Sequence, residues 1–142
     1  MKRLAAVFAG AVAAAAVAAC GPTQRPTDYR AFTQHYAFVI SSDPIPPMAR
    51  EKVRYKVVVR DKETNQPIQG GEGILYAENR DGVKTWDSFT AGPEVGTYYA
   101  ERLNFLTSGD WAMGLRFRRD SVHPLEQADW MQEVDADTSK IP

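Results

Sequence analysis

The chain has 142 residues, with 17 Lys or Arg against 18 Asp or Glu, a formal charge of −1 and a single cysteine. The near-neutral balance excludes the basic field of a nucleic-acid binder, and one cysteine excludes a disulfide framework. Six Phe, six Tyr and three Trp suffice for one core, so a single domain held by packing alone is expected.

Residues 1–19 open with Lys2 and Arg3, continue uncharged and rich in Ala and Val, and end in Ala18 and Ala19 directly before Cys20. A basic start, an apolar middle and a small-residue cleavage site make a secretory signal. The stretch is short and weakly hydrophobic for a spanning helix, which wants about 20 predominantly apolar residues. Small residues before a cysteine resemble the lipobox of bacterial lipoprotein precursors. The resemblance implies that the Cys20 thiol takes a diacylglycerol and that cleavage leaves Cys20 first. The mature chain would then face the periplasm or the cell exterior, and Gly21 after Cys20 would permit passage to an outer membrane. Without the signal the chain loses Lys2 and Arg3 and no acid, for a formal charge of −3.

Residues 20–33 hold Pro22 and Pro26 among polar residues and are expected to be a tether. The domain is expected over 34–120. Residues 36–41 are rich in strand formers, and Pro44, Pro46 and Pro47 then break the ladder. Over 53–59, Val53, Tyr55, Val57 and Val59 alternate with Arg54 and Lys56, the pattern of a half-buried antiparallel strand. A polar turn over 61–67 leads to a short edge piece. Strands are expected at 73–78 and 83–89, joined by a turn through Asp81 and Gly82. The second places Val83, Thr85, Asp87 and Phe89 on one side and Trp86 on the other. Two further strands follow at 97–105 and 111–118. In the last, Trp111, Met113, Leu115 and Phe117 share a face opposite Arg116 and Arg118.

About seven short strands without a convincing helix predict an all-β, Ig-like antiparallel sandwich, with a closed barrel as the alternative. Residues 121–142 form an acidic tail, with Glu126, Asp129, Glu133, Asp135 and Asp137 against Lys140. Pro124 could open a short helix there, or Trp130 and Val134 could cap the sandwich as a strand.

Asp61, Thr64, Pro67 and Ile68, then Gly96, Tyr98 and Ala100, then Ser108, Gly109 and Trp111 form a spaced pattern. It resembles the YtkA-like and FixH-like bacterial Ig-like domains over roughly 52–118. Thr64 departs from the glycine often seen in that turn. The resemblance implies a small Ig-like sandwich and, on the FixH-like side, a link to copper handling. Apart from any family, Gly96 suits a backbone corner where Tyr98 sends its hydroxyl to a nearby backbone group. Trp111 is expected in the core rather than as a ligand platform.

Chemistry is harder to find. His35 and His123 sit in the expected tether and tail, with no spacing that makes a metal motif. Met48 is the accessible soft ligand if Met113 and Met131 pack. Ser88, Ser108 and Ser121 lack a nucleophile-elbow setting. Asp81, Asp87 and Glu94 read as solvated turn residues, and Arg116, Arg118 and Arg119 as a basic face that could meet the acidic tail. No catalytic residue, cofactor site or metal site is expected. The functional expectation is a non-catalytic binding or structural module of the cell envelope, anchored by lipid on Cys20 and meeting an envelope protein. The alternative is a periplasmic copper-handling accessory.

Overall fold

The computed structural model describes residues 28–140, so Cys20 and the signal lie outside the described residues. Among the described residues there are nine strands: β1 (Tyr29–Phe32), β2 (Tyr36–Asp43), β3 (Lys52–Asp61), β4 (Glu72–Asn79), β5 (Lys84–Ser88), β6 (Thr90–Ala91), β7 (Thr97–Asn104), β8 (Gly109–Arg118) and β9 (Glu126–Val134). A 3₁₀ turn at Thr138–Lys140 follows. The strands pair antiparallel into two sheets, β1-β2-β3-β7-β6 and β5-β4-β8-β9. This is the expected all-β sandwich, with nine strands rather than about seven. Among the described residues no helix is long and apolar enough to cross a membrane.

Alternation builds the interior. Val53, Tyr55, Val57 and Val59 of β3 are buried, as are Trp111, Met113, Leu115 and Phe117 of β8. The two sets face each other across the layers, about 10 Å apart in such sandwiches. Phe117 meets Tyr36 and Tyr98 edge-on, with ring centroids 5.1 and 5.4 Å away. Trp111 packs on Phe105 at 5.1 Å, and its indole N–H donates to the Thr107 carbonyl at 2.9 Å.

Pairing reaches past the expected domain limits at both ends. β1 begins inside the expected tether and pairs with β2 from Tyr29↔Ile40 to Phe32↔Ala37. β9 occupies the expected acidic tail and pairs with β8 from Glu126 to Val134. Its Ala128, Trp130 and Val134 point inward, while Asp129 and Glu133 point to solvent. The strand alternative thus prevails over the helix, because period-two burial fits Trp130 and Val134 and leaves Leu125 and Met131 outside. Tyr29 stacks on Trp130 at 5.1 Å and closes the β1–β9 side of the sandwich.

The corner at Tyr98 forms as expected. Its hydroxyl donates to the Ile68 carbonyl at 2.6 Å and accepts the Gly71 N–H at 2.9 Å. Gly96 turns the chain at φ +76°, where a Cβ would lie 2.7 Å from Pro67 Cβ. Burial raises the Tyr98 hydroxyl pKa, against the Gly71 hydrogen bond that lowers it.

Asp87 corrects the expectation of a solvated turn residue. It is 4% exposed and holds the β5–β7 side of the sandwich together. Between Val53↔Leu103 and Tyr55↔Ala100 the register shifts, with Arg54 alone facing Glu101 and Arg102. The extra β7 residue makes a bulge and frees backbone N–H groups from the ladder. Both go to Asp87 Oδ2, from Glu101 at 2.8 Å and Arg102 at 3.1 Å. Arg102 also donates Nε–H to Oδ1 at 3.0 Å. Burial would raise the Asp87 pKa, but these amides and the guanidinium outweigh it and hold the carboxyl below its ordinary value.

Candidate functional site

The outer face of the four-stranded sheet is where an apolar group stands against the pattern. Period two on β5 puts Asp87 inward, so Trp86 points outward and is 64% exposed. Register sets its neighbours. Trp86 lies opposite Tyr76, Tyr76 opposite Gly114, and Gly114 opposite Asp129. A second row reads Ser88, Ile74, Arg116, Gln127, and a third reads Lys84, Glu78, Ala112, Met131. Four strands spaced about 4.8 Å apart make each row roughly 14 Å long.

Gly114 gives the middle row its shape. A Cβ there would lie 2.1 Å from Tyr76 Cζ and 2.3 Å from its hydroxyl oxygen. The Tyr76 ring therefore leans across β8 and rests on Gly114. The Arg116 guanidinium stands 5.3 Å from the ring centroid, a cation–π distance, and its Nε–H donates to Gln127 Oε1 at 3.2 Å. Gln127 in turn donates to Asp129 at 2.9 Å. Two shallow depressions of about 440 and 400 Å³ flank Ile74 and Arg116. The first adds Phe89, Arg118 and Leu125, and the second adds Tyr76, Lys84 and Trp86.

The basic face expected at Arg116, Arg118 and Arg119 is largely paired, and mostly away from the acidic tail. Arg118 pairs with Glu72, and Arg119 with Asp61 at 2.5 Å. Thr64 N–H, Arg119 and Glu63 N–H bring the Asp61 pKa down to about 2. The departure of Thr64 from glycine is accommodated there, because the left-handed residue of this turn is Asn65, at φ +58°.

The histidines come to one pole. His35 follows β1 and its Nδ1 lies 2.8 Å from Glu126 Oε1. Glu126 also accepts from the Thr33 hydroxyl at 2.8 Å. His123 lies in the β8–β9 loop with Nδ1 2.6 Å from Asp120 Oδ1. That contact leads the interactions that lower the Asp120 pKa. Each ring thus holds a carboxylate of its own, and among the described residues no three His, Cys, Asp or Glu converge on one point. Met48 bridges to Asp135 at the other end of β9. The nine residues of that strand place roughly 26 Å between the two poles, far beyond any shared ion. Met113 is buried as expected, whereas Met131 is 65% exposed on the outer face instead of packed.

Sequence reading missed the Trp86 strip and the Asp87 clamp together. The signal was one of parity: a strand with an acid on its buried side and a tryptophan on its polar side needs a reason for each.

Neither a family model nor a curated protein matches the sequence. Among solved structures, FetP of uropathogenic Escherichia coli strain F11, recombinantly expressed in the periplasm of another E. coli strain, is similar with a TM-score of 0.54 at 11% identity, over 81% of this chain and 98% of that one. A copper-bound variant of FetP is similar with a TM-score of 0.51 at 12% identity, over 82% and 96%. At such identity the likeness concerns the fold and nothing specific to YtkA-like or FixH-like domains: the chain is an all-β, two-sheet antiparallel sandwich.

Proposed function

We propose that the protein is a non-catalytic binding module of the cell envelope, anchored by lipid on Cys20 and presenting the outer face of β5-β4-β8-β9 to an envelope component. The observation that carries the reading is Trp86, exposed beside Tyr76 and Arg116 on a face that also shows Ile74 and Met131 among charged and small residues. An exposed aromatic costs solubility and contributes nothing to the core, so such patches mark interaction sites. Both histidines sit against carboxylates and no described hydrogen bond joins a serine hydroxyl to either, which favours binding over nucleophilic catalysis. The sequence before Cys20 supports the anchor: Cys20→Ser should abolish lipid labelling and leave an uncleaved or soluble species.

The test of the binding face is a photo-crosslinking amino acid placed at position 86 and, as control, at position 60 on the other sheet. In intact envelopes, position 86 should give a discrete adduct and position 60 none. Equal or absent crosslinking at both positions would overturn the reading.

A second reading, copper handling, is supported by the likeness to FetP, of which a copper-bound variant is solved. His35 and His123 at one pole are its candidates here. Each is already held by a carboxylate, and Met48 lies at the far pole, so the copper(I)-preferring sulfur and the imidazoles do not converge. Binding weaker than micromolar is expected for either copper ion. One-to-one submicromolar binding by calorimetry, lost in His35→Ala with His123→Ala, would promote the copper reading over the first.

A further inference from the structure

We propose that the outer face of the four-stranded sheet is a stacking platform for an uncharged glycan chain, with Trp86 beneath a pyranose ring and Tyr76, held between Gly114 and the Arg116 guanidinium, beside it. The proposal rests on that face being the binding surface and names its ligand class.

The shape comes first. Tyr76 leans over Gly114 instead of standing up, so the middle row is a low shelf continued by Trp86 at the β5 edge. A proline-rich helix wants a groove between aromatic walls, and a leaning ring builds no wall. A small molecule wants a cavity that buries most of its surface, and the depressions here are shallow. An extended chain laid across the sheet needs neither.

Charge narrows the ligand further. Over the three rows Lys84 and Arg116 balance Glu78 and Asp129, and Arg118 beside them is paired with Glu72. The face therefore has no field to draw an anionic polymer. The outer side of the other sheet is more basic, through Arg30, Lys56 and Arg60, with Arg54 paired to Glu101. A protein partner would need about 800 Å² with an apolar centre, whereas here the apolar side chains beyond the aromatic row, Ile74 and Met131, stand on different strands in rows that also carry charges.

The chemistry of a pyranose fits what remains. Its C–H face is apolar and slightly positive and packs on the negative face of an aromatic ring. Its equatorial hydroxyls point sideways and need donors and acceptors. The Arg116 guanidinium and the Gln127 amide supply planar partners on one flank, Lys84 and Glu78 supply partners on the other, and the Asp129 carboxylate stands at the β9 end of the aromatic row.

The full chain, in a detergent without a sugar headgroup, is titrated with chitohexaose and with cellohexaose while the indole N–H resonances are followed. Saturable shifts of Trp86, with Trp111 unmoved, are expected for at least one hexasaccharide. Trp86→Ala should weaken that affinity by about tenfold with an unchanged melting temperature, as for loss of one stacked aromatic. Gly114→Ala, which pushes Tyr76 off its rest, should also weaken it, and Tyr76→Ala serves if that variant does not fold. No shift of Trp86 at millimolar concentrations of either sugar overturns the proposal. So does a shift produced instead by a proline-rich peptide or by self-association. If position 86 still crosslinks in envelopes while neither sugar binds, the binding face stands and its ligand class is wrong. If neither occurs, both fall.

Discussion

The two faces of the β5-β4-β8-β9 sheet spend their aromatics in opposite ways. Inside, Trp111 is fully buried against Phe105, with its indole N–H satisfied by the Thr107 carbonyl. Outside, Trp86 is 64% exposed, and its cross-strand neighbour Tyr76 rests on a glycine. The same strands and the same period of two generate both. The inner tryptophan is explained by stability. The outer one is not, which is why the proposed binding face is placed around it.

The difference can be broken from the inside first. Trp111→Ala should destabilise by about 3–5 kcal/mol, as truncation of a core aromatic does. Denaturant unfolding of residues 21–142 measures this, and a loss below about 1 kcal/mol would mean that the inner face is not the fold's anchor. Asp87→Ala comes next. It strands the N–H groups of Glu101 and Arg102 at the bulge, at about 2–3 kcal/mol in total, since each unsatisfied donor costs about 1–3 and these are only part-buried.

Asp87 also sharpens the comparison through pH. Its folded pKa is held below the unfolded value of about 3.9. Its contribution is therefore complete above that value and disappears as pH falls through the lower folded value. Melting temperatures from pH 7 to 2 should decline, and Asp87→Asn should flatten the decline. An unchanged slope in that variant would contradict the clamp. Smallest in effect is Tyr55→Phe. The Tyr55 hydroxyl is buried with no partner among the described residues, and burial raises its pKa. Removing it should be neutral or slightly stabilising, because an unpartnered hydroxyl contributes no net hydrogen bond. Destabilisation by more than about 1 kcal/mol would reveal a hydrogen-bonded water there.

The core strands were readable because β3 and β8 alternate without a break, and nothing but a sheet buries Val53, Tyr55, Val57 and Val59 together. Both ends were harder to read. β1 is four residues with three exposed, too short for periodicity to register. β9 carries its acids on the solvent side of an edge strand, so its composition matched a tail while Trp130 and Val134 carried the true signal. The histidine pole was not readable at all. His35 and His123 meet at one end only because β2 and β9 start there, and that depends on strand order, which no local pattern encodes. Asp87 was misread because acids in short segments usually sit in turns, and the bulge on β7 that needs it lies 14 residues further on.

The sharpest test compares the two tryptophans in place. Hydroxyl-radical footprinting, read by mass spectrometry, is run on the isolated domain and on intact envelopes carrying the full chain. Trp111 should be unreactive in both. Trp86 should be oxidised readily in the isolated domain and protected in the envelope. Equal oxidation of Trp86 in both settings would show that its face meets nothing there, and would contradict the assignment of that face to binding.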